Sequence, residues 1–284
     1  MESVPPFRVA CVQNCADDNL ARNLDESIAM VREARSAGAE LICLPEYFCC
    51  IEREERLVVE HSRAEAEHPA VSTFASLARE LGAWILLGSI PVRFDARRVN
   101  NRSLLIDAAG GIVARYDKIH LFDAAFKGGE RYRESSTVAR GDNPVLAQTP
   151  WGLLGMTVCY DLRFPQLYRT LAQRGAAFLS VPSAFTRTTG RAHWHVLLRA
   201  RAIETGSYVF APAQFGMRPW GRATYGHSLI VDPWGEVLAD GGDSGGHIIA
   251  EIDPRRVLEV RAMIPSLEDD WATRPDSSVA KTRP

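Results

Sequence analysis

Two stretches of this chain follow one plan: Arg35-Ser-Ala-Gly-Ala-Glu-Leu-Ile-Cys-Leu-Pro45 and Gln173-Arg-Gly-Ala-Ala-Phe-Leu-Ser-Val-Pro182. Each runs from a helical end through Gly-Ala into a short apolar strand that a proline stops. A strand with no alternation of apolar and polar residues is buried on both faces, so it needs a packed layer on either side. The pattern therefore predicts an α/β fold of two similar αβ halves, their sheets face to face and their helices outside. The match is too short to establish duplication, since αβ punctuation alone would also produce it.

The remaining segments fit this scheme. Phe7–Gln13 reads as a buried strand. Asn19–Ala37 carries Leu24, Ile28, Val31 and Ala34 at the spacing of an amphipathic helix, with Gly38 placed to end it. Trp84–Ser89 is another apolar strand, and Ser103–Asp107 and Ile112–Tyr116 flank Gly110-Gly111 as a hairpin. In the second half, Leu153–Val158 predicts a strand, Pro165–Arg174 a helix stopped by Gly175, and Phe178–Val181 a strand. Arg191–Thr205 predicts a helix. Strands follow near Ser207–Ala213 and Thr224–Val231, then the turn Pro233-Trp-Gly235, then Glu236–Leu238 and His247–Ile252. No proline-, glycine- or serine-rich linker divides the halves, so residues 1–268 are expected to form one domain and residues 269–284 a polar tail.

Composition narrows the functional classes. Of 284 residues, 33 are Lys or Arg and 35 Asp or Glu, a formal charge of −2, which offers nucleic acid or an anionic membrane no electrostatic footprint. No apolar run approaches the ~18 residues needed to cross a bilayer, and the opening Met-Glu-Ser-Val-Pro-Pro-Phe-Arg lacks the core of a secretory leader. Six cysteines without a C-x-x-C pair are too sparse for a disulfide framework and lack the spacing of a zinc ribbon. The expectation is a cytoplasmic protein whose thiols mostly serve as small buried hydrophobes.

One thiol is placed differently. In Gly155-Met-Thr-Val-Cys159-Tyr-Asp-Leu-Arg-Phe-Pro165, an apolar run ends at Cys159 and a polar, proline-containing stretch follows. A nucleophile at a strand-to-helix elbow has this shape, with backbone N–H groups facing the space above it. A buried structural thiol has it too, and neither neighbour of Cys159 is glycine. Glu46 and Lys118 also stand just past predicted strands, and the carboxyl ends of strands are where sheet-built enzymes bind ligands. Each alone reads as an ordinary turn or surface charge. Their shared position argues for convergence on one site.

The segments Leu44-Pro-Glu46-Tyr, Tyr116-Asp-Lys118-Ile-His-Leu-Phe-Asp123 and Val158-Cys159-Tyr-Asp-Leu-Arg-Phe-Pro165 resemble the three signature blocks of the nitrilase superfamily of carbon–nitrogen hydrolases. The similarity continues through Ala184-Phe-Thr, Thr189-Gly-Arg-Ala-His-Trp194, Leu198–Glu204, Gly226-His-Ser228 and Asp232-Pro-Trp-Gly235, from about Phe7 to Leu267. It implies a four-layer α-β-β-α sandwich with Glu46 as general base, Lys118 as electrostatic stabiliser, Cys159 as nucleophile and Glu134 as a second glutamate. It further implies a homodimer or higher homo-oligomer built from segments around Phe164–Leu171 and Arg191–Glu204.

On this reading Cys159 attacks an amide carbon and a thioester forms, without metal or organic cofactor, and the oxyanion is held by Lys118 and the Tyr160 backbone N–H. Arg163 stands where members with acidic substrates bind a carboxylate, although an arginine bridging Asp161 or a helix end explains it equally. Thr186, with Thr189-Gly190, His193-Trp194 and the later blocks, looks most like the branch of deaminated-glutathione amidase and the ω-amidases. The expected substrate is a small carboxylate-bearing linear amide, cleaved to acid and ammonia; an N-carbamoyl compound or a nitrile is the alternative. Two positions depart from that branch: His195 stands where Glu usually follows His-Trp, and Glu268-Asp269-Asp270 replaces a basic ending. Other readings use the same residues differently: a thiol hydrolase pairing Cys159 with His193 or His195 and Asp161, a zinc site of His193, His195 and a cysteine, or a non-catalytic protein that keeps the fold.

Overall fold

The computed structural model describes residues 4–126 and 131–269; the expected tail beyond Asp269 lies outside them. Six helices, α1 (Leu20–Ser36), α2 (Glu55–Glu60), α3 (Pro69–Leu81), α4 (Pro165–Gln173), α5 (Arg187–Thr205) and α6 (Arg255–Met263), accompany sixteen strands among the described residues. The first half contributes β1 (Phe7–Gln13), β2 (Leu41–Cys43), β3 (Trp84–Arg93), β4 (Val99–Ile106) and β5 (Ile112–Asp117). A small hairpin, β6 (Asp123–Ala125) and β7 (Arg131–Arg133), precedes β8 (Val145–Thr149), β9 (Gly152–Met156), β10 (Ala176–Ser180) and β11 (Tyr208–Ala211). A second hairpin, β12 (Phe215–Met217) and β13 (Ala223–Tyr225), leads to β14 (Leu229–Val231), β15 (Val237–Asp240) and β16 (Gly246–Ile252).

Two six-stranded sheets carry the fold, ordered β16-β1-β2-β3-β4-β5 and β15-β14-β11-β10-β9-β8. Both have three adjacent parallel strands, β1-β2-β3 and β9-β10-β11, with antiparallel strands on either side. The two similar sequence stretches supply β2 and β10, the middle strand of each parallel trio. The halves are not self-contained, however. β16, last in the chain, crosses to pair antiparallel with β1 along Phe7–Gln13, a long-range pairing that local pattern does not encode.

Packing explains the missing alternation. On β1, Val9 and Cys11 join a core with Leu154, Met156, Phe178 and Phe210 of the other sheet. Ala10 and Val12 point the opposite way, into a second core with Leu24 and Val31 of α1 and Phe74 and Leu77 of α3. Leu167 and Leu171 of α4 and Trp194 and Leu198 of α5 cover the outer face of the second sheet. The result is the expected α-β-β-α sandwich.

Local boundaries differ where turn chemistry intervenes. Helix α5 starts at Arg187 rather than 191, because Thr186 caps it by accepting the Thr189 N–H. The expected strand Thr224–Val231 is two strands in different sheets, parted where Gly226 (φ 78°) and His227 (φ 55°) take left-handed conformations. No helix among the described residues is long and apolar enough to cross a membrane.

Candidate active site

Three strand ends bring the site together. Past β2, Pro45 stops the strand and Glu46 turns inward, almost fully buried. Room behind it depends on Gly88 of β3, where a Cβ would fall 1.9 Å from the Leu44 carbonyl oxygen. Past β5, the Lys118 N–H donates to the Asn101 carbonyl (3.0 Å), aiming a side chain that is 2% exposed. Past β9, Cys159 opens a 3₁₀ turn with φ 50°, rare for a residue bearing a Cβ, and its N–H donates to the Pro182 carbonyl at 2.9 Å. The proline that stops β10 thus anchors the elbow expected from the sequence.

The Lys118 ammonium sits between two carboxylates. It donates to Glu46 Oε1 at 2.9 Å and to both oxygens of Glu134, at 3.0 and 2.9 Å. Burial works against its charge, but the neighbouring Glu134 and Glu46 outweigh burial and hold its pKa well above the ordinary lysine value. Burial likewise opposes ionisation of Glu46, yet Lys118 and hydrogen bonds from Cys159 and Asn101 keep its carboxyl below the usual range. Its other oxygen accepts the Ala184 N–H at 2.8 Å. The Cys159 thiol is pushed well up, first by burial and then by the Glu46 charge, with Lys118 opposing. The resting arrangement is a neutral thiol beside an ionised carboxylate, the starting point for a proton transfer from sulfur to oxygen.

Glu46, Lys118, Cys159 and Glu134 all line one cavity of about 740 Å³. Two further residues that the sequence pattern does not single out complete the cluster, Tyr47 on the cavity wall and Asn101 behind the glutamates. Asn101 of β4 donates to Glu46 (3.0 Å) and Glu134 (3.2 Å), bridging the two glutamates. Tyr47 lines the cavity beside Glu46; burial, then the Glu134 charge, keep its hydroxyl protonated. Asn101 left no distinct signal, standing in the polar run Asn100–Ser103 of β4. Tyr47 left none beyond its place after Glu46.

Comparison with known proteins follows this geometry. The model of the family described as carbon–nitrogen hydrolase matches residues 8–262. This chain belongs to that family. Among curated carbon–nitrogen hydrolases, a deaminated glutathione amidase of Synechocystis is 43% identical over 93% of this chain and 97% of its own. The solved NitFhit protein of C. elegans superposes with a TM-score of 0.89 at 37% identity, covering 95% of this chain and 66% of that longer one. An amidase from Nesterenkonia sp., solved with the acetamide moiety of fluoroacetamide added to its active-site cysteine, gives a TM-score of 0.80 at 25% identity, covering 95% of each chain. The expected membership of the nitrilase superfamily and its sandwich architecture therefore hold.

As placed in this carbon–nitrogen hydrolase, the three expected substrate-binding residues are not among those lining the cavity. Tyr160 lies in an aromatic cluster with Phe122 and Phe164. The Arg163 guanidinium donates to His193 Nδ1 (3.2 Å) and lies over the Phe185 ring. Thr186 is the cap of α5, its hydroxyl 2.9 Å from that of Thr189. Arginines do line the cavity elsewhere, Arg53, Arg63, Arg93, Arg131 and Arg222; of these, Arg222 lies 5.8 Å above the Tyr132 ring and has no ion-pair partner among the described residues. The histidines of the rival thiol-hydrolase reading also face elsewhere, His193 toward Arg163 and His195 toward Asp240 (3.0 Å).

Proposed function

We propose that the protein is an amidase that cleaves a linear, non-peptide amide of a small carboxylate-bearing substrate through a thioester on Cys159. The observation that carries this reading is the Lys118 ammonium, buried between Glu46 and Glu134 and sharing a cavity with Cys159. Glu46 takes the thiol proton as sulfur attacks the amide carbon, so net charge within the site is conserved. The oxyanion that forms is stabilised by Lys118 and by the backbone N–H of Tyr160, the residue directly after Cys159, whose ring packs away on Phe122 and Phe164; one such donor contributes ~3–4 kcal/mol in comparable enzymes. Collapse expels the nitrogen, which receives the proton back from Glu46 and leaves as ammonia or an amine. Water, deprotonated by the same carboxylate, then adds to the thioester and releases the acid and the thiol. The chain's own groups supply every proton and charge in this scheme, so no cofactor is required of it. Deaminated glutathione and ω-amides are the first substrates to test, because curated relatives are deaminated glutathione amidases. Both carry carboxylates, and Arg222, one of the arginines lining the cavity, is proposed to receive one.

The deciding experiment measures product release from these amides by the unaltered chain, Cys159→Ala and Glu46→Gln, with intact mass of each protein during turnover. Expected are loss of hydrolysis in both variants and an acyl adduct on a slow substrate that Cys159→Ala cannot form. Hydrolysis surviving in Cys159→Ala overturns the proposal. N-carbamoyl compounds and nitriles in the same screen decide the alternative bond types.

Self-association through α5 belongs to this reading. Val196 and Ile203, seven residues apart on that helix, remain 68% and 52% exposed, and light scattering that finds only monomer would refute it. All six cysteines are unpaired, which suits the reducing cytoplasm proposed as its location.

A further inference from the structure

On the outside of the sandwich, away from the amide cavity, three side chains converge from three elements. His195 projects from α5, His227 from the left-handed break between β13 and β14, and Asp240 from the end of β15. His195 Nε2 lies 3.0 Å from Asp240 Oδ2, and His227 Nδ1 lies 2.9 and 3.1 Å from the two oxygens of Asp240. One ligand atom from each residue falls within 4.8 Å of the others. We propose that His195, His227 and Asp240 form a binding site for a divalent transition-metal ion, of which Zn²⁺ is the type.

The donor set fits. Two imidazole nitrogens and a carboxylate oxygen are the ligands that borderline divalent ions take, and three such ligands with a solvent-facing fourth position make an open site. Ligands at ~2.0–2.1 Å from zinc stand roughly 3.3 Å apart at tetrahedral angles, so the nitrogen–oxygen separations already approach the edges of such a polyhedron. His195 and Asp240 are 34% and 35% exposed at their side chains, which leaves an entry path and room for a water ligand.

The backbone that carries these ligands is fixed. His227 is held at φ 55° by its N–H donating to the Gly242 carbonyl and by its own carbonyl accepting from Trp194 Nε1 at 2.7 Å. Trp194 is fully buried and immediately precedes His195, so one packed indole registers both histidines. Gly242 also donates its N–H to Asp240 Oδ1 (2.9 Å). Such a strained conformation persists only where its surroundings over-determine it, and a pre-set ligand cage is one purpose it serves. With His227 Nδ1 on the metal, its remaining N–H is on Nε2, which faces Asp243 Oδ1 at 3.8 Å. That is the outer carboxylate that commonly orients a ligating histidine.

The test is calorimetric titration of Zn²⁺ into metal-free, full-length protein bearing Cys159→Ala, which removes capture by the active-site thiol. The expected result is saturable uptake of one ion per chain, weakened at least about tenfold by His195→Ala and by Asp240→Asn and unchanged by His193→Ala on the same helix. Co²⁺ in place of Zn²⁺ is expected to give d–d absorption without a thiolate charge-transfer band. Absence of saturable uptake, or uptake that survives His195→Ala, overturns the proposal and leaves a cluster held by hydrogen bonds alone.

Discussion

Asp161 clamps His120: its Oδ1 accepts both the His120 backbone N–H (3.0 Å) and the ring Nδ1–H (2.7 Å). Asp161 stands two residues past Cys159 and His120 two residues past Lys118, so the clamp fixes the spacing of the two strand ends that build the site. The other oxygen accepts the Tyr116 hydroxyl (2.7 Å) and the Val158 N–H (2.9 Å), leaving a wholly buried carboxylate with both oxygens occupied. Asp161→Asn replaces one acceptor with a donor and orphans at least one buried partner. The expected outcome is a loss of about 2–3 kcal/mol in urea denaturation, with kcat falling more than KM rises, because Cys159 and Lys118 lose their common tether.

The pH profile follows from Glu46. Its carboxyl titrates below the ordinary glutamate value of 4.5, since Lys118 and its other partners outweigh burial. A base with a depressed pKa stays ionised as pH falls, so kcat/KM is expected to hold through mildly acid pH and decline only below that ordinary value. On the alkaline side, Cys159 and Lys118 are both raised well above their ordinary values of 9.0 and 10.5, so neither loses its proton near neutrality. The Glu46 charge also contributes stability that is present above the unfolded pKa and lost as pH falls through the folded one. An inflection of kcat/KM near neutral pH would contradict this assignment.

Glu46, Lys118 and Cys159 were legible because each stands just past a strand end: Glu46 and Cys159 close apolar runs, and Lys118 follows the mixed strand Ile112–Asp117. Asn101 was not, since its role depends on meeting Glu46 and Glu134, which lie 55 and 33 residues away along the chain. Arg222 follows a short hairpin turn whose direction no local pattern encodes. Arg163 is the converse case: the resemblance implied contact with a substrate carboxylate, and after the 3₁₀ turn that begins at Cys159 its guanidinium lies toward His193 and Phe185. The α-β-β-α layers were readable from apolar strands without alternation, whereas the crossing of β16 into the first sheet was not.

Gly88 is predicted to tolerate no side chain. A Cβ there would meet the Leu44 carbonyl oxygen at 1.9 Å and that of Pro45 at 2.4 Å, both backbone atoms that set the direction of Glu46. Gly88→Ala is expected to destabilise the fold by about 3 kcal/mol or more and to lower kcat in whatever folded fraction remains. Thermal unfolding together with active-site titration by a thiol reagent separates the two effects.

His68, on the cavity wall but outside the Glu46–Lys118–Glu134 cluster, controls acid stability. It caps α3, its unprotonated Nδ1 accepting the Ala70 N–H, and its pKa is pushed down to about 4 by burial and by Arg63. Because the unfolded chain takes up this proton near 6.5, stability falls as pH drops below that value and the loss is complete below about 4. A shift of this size corresponds to up to about 3 kcal/mol. Replacement by Asn keeps a capping acceptor and removes the titration. His68→Asn is therefore expected to flatten the acid side of the stability curve, measured by urea midpoints across that range.

Arg222 and Arg163 make opposite predictions for substrate binding. Arg222 lines the cavity beside Tyr132 without a carboxylate partner among the described residues, whereas Arg163 spends its guanidinium on His193 and two aromatic faces. A hydrogen bond to a charged group contributes about 1.5–3 kcal/mol, so Arg222→Ala is expected to lower kcat/KM for a carboxylate-bearing amide about 10- to 100-fold, chiefly through KM. Arg222→Lys keeps the charge but not the paired donors and should recover part of that loss. An uncharged amide of similar length should be indifferent to both changes. Arg163→Ala should leave KM for both substrates near that of the unaltered chain. Steady-state kinetics of the three variants on the two amides decides which arginine meets the carboxylate, and a KM effect confined to Arg163→Ala would return that role to the residue beside the nucleophile.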